Sequence, residues 1–152
     1  MKENPAMKKV VNNMRPGVIS LHGFLGDDKR DIEQIIEHDA AELEKLGMIP
    51  DEVADKLQEI MEKALGGLGD FISLKAGYEA KADSIRGKLP CPFSHPGLFR
   101  KTVITVRNAE TGEEFLYTDL GIHLIRDHCF FQGKGSPFRI EPVKLQVFLQ
   151  KV

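Results

Sequence analysis

Length, composition and charge place the chain among small globular proteins. Its 152 residues are 41% hydrophobic and 29% charged, with a formal net charge of −2, as is usual for one folded domain. No apolar run approaches the roughly 20 residues of a membrane helix, and two cysteines do not make a disulfide framework. We therefore predict a cytoplasmic protein without a membrane segment, made of a flexible N-terminal arm (1–16) and one α+β domain (17–152).

Apolar residues at helical spacing predict two helices in the first half of the chain. Asp27 or Asp28 is placed to cap the first helix, and Gly47 is placed to end it in the left-handed conformation. Asp39 lies near the apolar face of this helix, and we expect it to stay in solvent at the edge of that face. Pro50 is suited to the first position of the second helix. The short connection predicts an antiparallel helical hairpin.

Alternating patterns predict strands in the second half of the chain. The clearest hairpin joins residues 101–108 to residues 113–118 through a turn that contains Gly112. Shorter strands are predicted at 18–21, 71–75 and 78–83, and two last helices at 120–131, ended by Gly133, and from Pro142 onward. The predicted fold is α+β, with the N-terminal helical hairpin packed on a small antiparallel sheet and two further C-terminal helices.

Both cysteines and three of the five histidines lie between residues 91 and 129. Cys91, His95, His123 and His128 offer four ligands of the kind that zinc prefers, so zinc is the cofactor that the sequence suggests. On a regular helix, however, residues five apart point about 140° away from each other, so His123 and His128 are expected to diverge. His123 and Asp127, four apart, share a face. The alternative is that these histidines cap or pack and that the cysteines belong to the core.

Cys91 is also a candidate nucleophile, with His95 or His123 as its base. It stands between Pro90 and Pro92, in a segment that could hold it exposed. A reactive thiol needs a nearby cation or a helix N-terminus to lower its pKa. The alternative is that Cys91 packs as a small apolar side chain.

A glycine-rich basic loop follows the predicted helix at 120–131. Lys134, Ser136 and Arg139 could bind an anion there, together with backbone N–H groups. The loop is not a P-loop, because it follows a helix rather than a strand and its lysine is followed by glycine. The alternative is an ordinary helix C-cap and turn.

Charge is divided unevenly along the chain. Residues 27–63 hold thirteen acidic and five basic residues, whereas residues 71–152 hold twelve basic and eight acidic ones. This division is compatible with a solvated helical face, and also with a homo-oligomer or an acidic or anionic partner. The isoelectric point of about 6.2 argues against nucleic-acid binding.

Two functions of different classes follow from these features. The first is a small cytoplasmic binding or interaction domain without clear catalytic machinery. Its binding face would be formed by the loop at 91–100, the ends of the helix at 120–131, and the loop at 133–139. The second is a metal-dependent or thiol-dependent enzyme that uses Cys91, His95, His123 and His128.

Overall fold

The computed structural model describes residues 5–152, and over this range the fold is α+β. The helices are α1 (Pro5–Asn13), α2 (Ile32–Lys45), α3 (Pro50–Leu65), α4 (Asp119–His128) and α5 (Pro142–Lys151). The strands are β1 (Ile72–Ser73), β2 (Tyr78–Pro90), β3 (Leu98–Asn108) and β4 (Glu114–Thr118), with a short 3-10 turn at Lys75–Gly77. The predicted fold class is confirmed. None of the helices in this range is long and apolar enough to cross a membrane.

The four strands form one antiparallel sheet in the order β1-β2-β3-β4. Strands β2 and β3 are longer than predicted, since β2 continues past residue 83 to Pro90 and β3 begins at Leu98. Its register runs from Tyr78 opposite Asn108 to Pro90 opposite Leu98, with one shift between Ile85 and Lys88. This long hairpin carries the loop at 91–97, which contains both Cys91 and His95, to one end of the sheet.

The larger hydrophobic cluster lies between the sheet and helices α3, α4 and α5. Its fully buried members include Leu57, Ile104, Val106 and Leu145. Tyr117 is also buried there, and its hydroxyl donates a hydrogen bond of 2.7 Å to the carbonyl of Leu57. Burying apolar area of this kind supplies most of the favourable free energy of folding.

A second hydrophobic cluster lies beside the loop at 91–97. Met14, Ile35, Leu124 and Phe130 are its most buried members, and Cys91 belongs to it with only 2% of its surface exposed. Residues 1–4 of the predicted arm lie outside the described residues. Within the predicted arm, Pro5–Asn13 form the helix α1, which packs on this cluster because its apolar side chains recur at helical spacing.

Three local predictions are wrong in detail. Residues 18–21 form turns and bends instead of a strand, and Leu21 is 78% exposed. Helix α2 is capped by Asp31, whose backbone N–H donates to the side chain of Gln34. Helix α4 ends at His128 and not near Gly133, because Cys129 adopts the left-handed conformation with φ 50°.

Candidate metal centre

The end of the β2–β3 hairpin meets the C-terminal end of α4. Cys91 directly follows β2, and His95 lies in the loop before β3. His123 and His128 lie on α4, and His128 is its last residue. The fold therefore brings the four predicted ligands to one place, although they come from two segments about thirty residues apart.

Cys91, His123 and His128 converge closely. One possible ligand atom from each lies within 4.8 Å of the others, and we call these three residues the inner donor set. The Cys91 Sγ and His128 Nε2 atoms are 3.5 Å apart. With zinc bonds of about 2.3 Å to sulfur and 2.0–2.1 Å to nitrogen at tetrahedral angles, such a pair would stand about 3.6 Å apart. The observed separation suits a thiol–imidazole hydrogen bond and also two ligands of one zinc ion.

His123 has one ring nitrogen engaged and the other without a partner. Its Nδ1 atom lies 3.1 Å from Oδ2 of Asp127, one helical turn further along. Its Nε2 atom is buried and has no hydrogen-bond partner among the described residues. When Nδ1–H donates to the carboxylate, Nε2 carries the free lone pair that a metal ion needs. Buried polar atoms without a partner are uncommon in folded proteins, so this nitrogen requires an explanation.

The prediction that His123 and His128 diverge is wrong. Their ring centroids are 5.3 Å apart, with the rings nearly perpendicular. His128 is the last residue of α4, and Cys129 turns the chain away in the left-handed conformation. The angle of about 140° describes the directions of the two Cβ atoms, and the imidazole rings extend far enough beyond Cβ to meet. The predicted pairing of His123 with Asp127 on one face is confirmed.

Two phenylalanines fix the orientation of the histidine rings. Phe93 stacks on His128 with a centroid distance of 4.2 Å, and Phe99 stacks on His123 at 4.3 Å. Sequence reasoning gave these phenylalanines no part in the cluster. Their one visible signal was position, because both lie within four residues of His95 in the sequence, Phe93 before it and Phe99 after it. Stacking of this kind restricts the rings before any ligand arrives.

His95 stands at the outer side of the cluster and is exposed. Its ring centroid is 4.9 Å from that of His123 and 5.8 Å from that of His128. It belongs to a second group of converging donors, formed with His123 and Asp127, whose ligand atoms also lie within 4.8 Å of one another. We call this group the outer donor set; the two sets share His123.

Burial favours the uncharged form of each donor in the inner set. Desolvation raises the pKa of the Cys91 thiol, although the backbone N–H groups of Phe93 and His95 donate to the sulfur and oppose that rise. Desolvation lowers the pKa of His123 and the pKa of His128. The neighbouring His123 lowers the pKa of His128 further. Neutral imidazoles are the form that binds metal ions, whereas a thiol with a raised pKa gives little nucleophilic thiolate at neutral pH.

Two of the three side chains in the predicted anion-binding loop, those of Ser136 and Arg139, have partners within the protein. Arg139 makes two hydrogen bonds to Asp39, of 2.7 and 2.9 Å, and its side chain is 4% exposed. The hydroxyl of Ser136 donates to the side chain of Gln132 at 2.6 Å. Lys134 is exposed, and its backbone N–H donates to Asp28. These hydrogen bonds give the side chains of Ser136 and Arg139 partners within the protein, without an anion.

The fold and the cluster thus define a small α+β protein with a candidate metal centre at the junction of a β-hairpin and a helix end. No protein-family model, no curated protein and no solved structure matches this chain.

Proposed function

We propose that this protein is a metal-binding domain in which Cys91, His123 and His128 hold a zinc ion. The observation that carries the proposal is the buried Nε2 atom of His123, which has no partner in the described part of the chain. It belongs to a residue whose ligand atom lies within 4.8 Å of those of Cys91 and His128. A bound ion would satisfy this nitrogen.

The chemistry of the donors favours zinc over the other common metal ions. One thiolate and two imidazoles are borderline-soft ligands, which zinc accepts in tetrahedral geometry, whereas magnesium and calcium require oxygen ligands. Asp127 would accept the Nδ1–H of His123 and so fix the tautomer that leaves Nε2 free, as carboxylates commonly do beside zinc-bound histidines. The fourth position would be filled by water or by His95.

The same geometry offers less support to a cysteine nucleophile. Cys91 is 98% buried and its pKa is raised, whereas a reactive cysteine is partly exposed and has a lowered pKa. A zinc ion changes this situation, because coordination deprotonates the thiol and gives its charge a partner. The role that follows most directly is structural, since the ion would join the loop at 91–97 to the end of α4.

Elemental analysis of the full chain, purified without a metal-affinity tag, tests the proposal. We expect close to one equivalent of zinc, and cobalt(II) should replace it with a thiolate-to-metal charge-transfer band. Cys91→Ser should abolish that band, and His128→Ala should lower the metal content. Cys129→Ser is the matched control, because Cys129 belongs to neither donor set, and it should keep both the metal and the band.

Thermal unfolding provides a second readout. A strong chelator should lower the melting temperature of the wild type, because the free energy of binding the ion adds to the stability of the folded state. The proposal is overturned if the purified protein holds less than about a tenth of an equivalent and takes up no added zinc or cobalt, since sites of this kind retain their ion.

A further inference from the structure

The outer donor set presents a second group of metal ligands beside the first. It consists of His95, His123 and Asp127, with ligand atoms within 4.8 Å of one another. The Nδ1 atom of His123 and Oδ2 of Asp127 are 3.1 Å apart. That distance suits a hydrogen bond, and it also suits two neighbouring ligands on one ion with bonds of about 2.1 Å. Imidazole and carboxylate together suit zinc and other divalent transition metals.

His123 is the only residue that the two sets share, and its imidazole has two distinct nitrogens. Nδ1 faces Asp127, so it is the nitrogen available to the outer set. Nε2 is buried and without a described partner, so it is the nitrogen that remains for the inner set when Nδ1 serves the outer one. An imidazolate can bind one metal ion at each nitrogen, and the ring is held by stacking on Phe99 at 4.3 Å.

We infer that His95, Asp127 and the Nδ1 atom of His123 bind a second divalent transition-metal ion, bridged to the inner ion by the His123 ring. This inference rests on the proposed function, because the inner ion is the other partner of the bridge. When the second ion binds, the Nδ1–H bond of His123 breaks and its proton leaves to solvent. The carboxylate of Asp127 exchanges that hydrogen bond for a bond to the metal.

The two ions would differ in their access to solvent. Cys91 is 2% exposed and His123 is 9% exposed, whereas His95 is exposed and the side chain of Asp127 is 35% exposed. His128 of the inner set is partly buried, so the inner ion would lie deeper than the outer one. The outer ion has three protein ligands and keeps water in its remaining positions, which is the arrangement of catalytic zinc sites. Because its ligands are more exposed and include no thiolate, we expect it to bind more weakly and to be removed first.

Stepwise titration of the metal-free full chain with cobalt(II) tests the inference, followed by calorimetry and absorbance. We expect two equivalents. The first brings the thiolate charge-transfer band, and the second adds ligand-field absorption without more of that band and releases one further proton. His95→Ala and Asp127→Ala should each lose the second equivalent and keep the first. In Asp127→Ala the affinity for the first equivalent of cobalt should fall by about 10–100-fold, because the ring of His123 loses its orienting carboxylate.

His22→Ala is the matched control, because His22 is exposed and belongs to neither donor set; it should bind two equivalents. A single equivalent with the thiolate band overturns the second site and leaves the proposed function standing. Loss of the first equivalent in His95→Ala also overturns it, since His95 would then be the fourth ligand of one ion. Binding of no cobalt at all overturns both proposals.

Discussion

Asp39 and Arg139 form an ion pair that is removed from water. The two side chains are 1% and 4% exposed, and two parallel hydrogen bonds of 2.7 and 2.9 Å join them. Arg139 also donates to Glu141 at 2.7 Å and to the backbone carbonyl of Gln132 at 2.7 Å. The pair links α2 to the segment that precedes α5. Geometry this complete is what a buried pair needs to offset its cost of desolvation.

We expect Asp39→Ala to lower the free energy of unfolding by about 3 kcal/mol. Removing one partner of a buried pair costs about 3–5 kcal/mol, because the other charge stays in a poorly solvated place. The lower end applies here, since Arg139 keeps its bonds to Glu141 and Gln132. Arg139→Met removes both hydrogen bonds from the buried carboxylate of Asp39, which keeps His38 at 3.6 Å, and should cost at least as much.

Urea unfolding of the two single variants and of the double variant Asp39→Ala/Arg139→Met measures this effect. We expect the double variant to lose less than the sum of the single losses, because both charges leave the interior together. Equal slopes against urea would show that the unfolding transition itself is unchanged. The reasoning is refuted if Asp39→Ala costs less than about 1 kcal/mol, the range of a surface ion pair, or if the single losses add.

Three further outcomes are expected from single substitutions. The guanidinium of Arg30 holds the pKa of the Asp28 carboxyl well below its ordinary 3.8, and Asp28→Asn removes that charged carboxylate. The stabilisation exists above pH 3.8 and is lost as the pH falls, so the variant should be less stable than wild type at pH 7 and approach wild-type stability in acid. An equal difference in stability at pH 7 and in acid would contradict this. Tyr117→Phe leaves the carbonyl of Leu57 without its 2.7 Å bond and should cost about 1–2 kcal/mol in thermal or urea unfolding, so an unchanged midpoint would count against that bond. Gly133→Ala would place a Cβ against the backbone of Leu25 and should cost about 1–3 kcal/mol, unlike a substitution made in open space; a soluble variant with wild-type stability would show that the backbone yields easily.

Local signals were sufficient to predict most of the secondary structure. Pro50 opens α3 and Pro142 opens α5, and Gly47 follows α2 with φ 71°, as expected from their backbone preferences. The hairpin turn before β4 was predicted from alternation and from Gly112, whose φ is 76°. These features depend on a few neighbouring residues, so the sequence alone contains them.

Features that depend on distant partners were not predictable. Asp39 was expected to stay in solvent, yet it is fully buried because its partner Arg139 lies one hundred residues away. Four residues of the candidate centre, Cys91, His95, His123 and His128, were named as candidate ligands by residue type. Their division into an inner and an outer donor set could not be predicted, because it depends on how far β2 extends and on where α4 ends. The stacking of Phe93 on His128 and of Phe99 on His123 also depends on residues that are distant in the sequence, so it could not be predicted either.

Helix α4 contributes buried side chains to both hydrophobic clusters. Ile122 and Ile125 face the larger cluster, and Leu120 and Leu124 face the second one. If one cluster opened alone, α4 would stay packed on the other cluster and expose its newly freed apolar face to water. Backbone amides of α4 should therefore exchange their hydrogens only through the global opening of the molecule, more slowly than those of α1, which touches the second cluster alone.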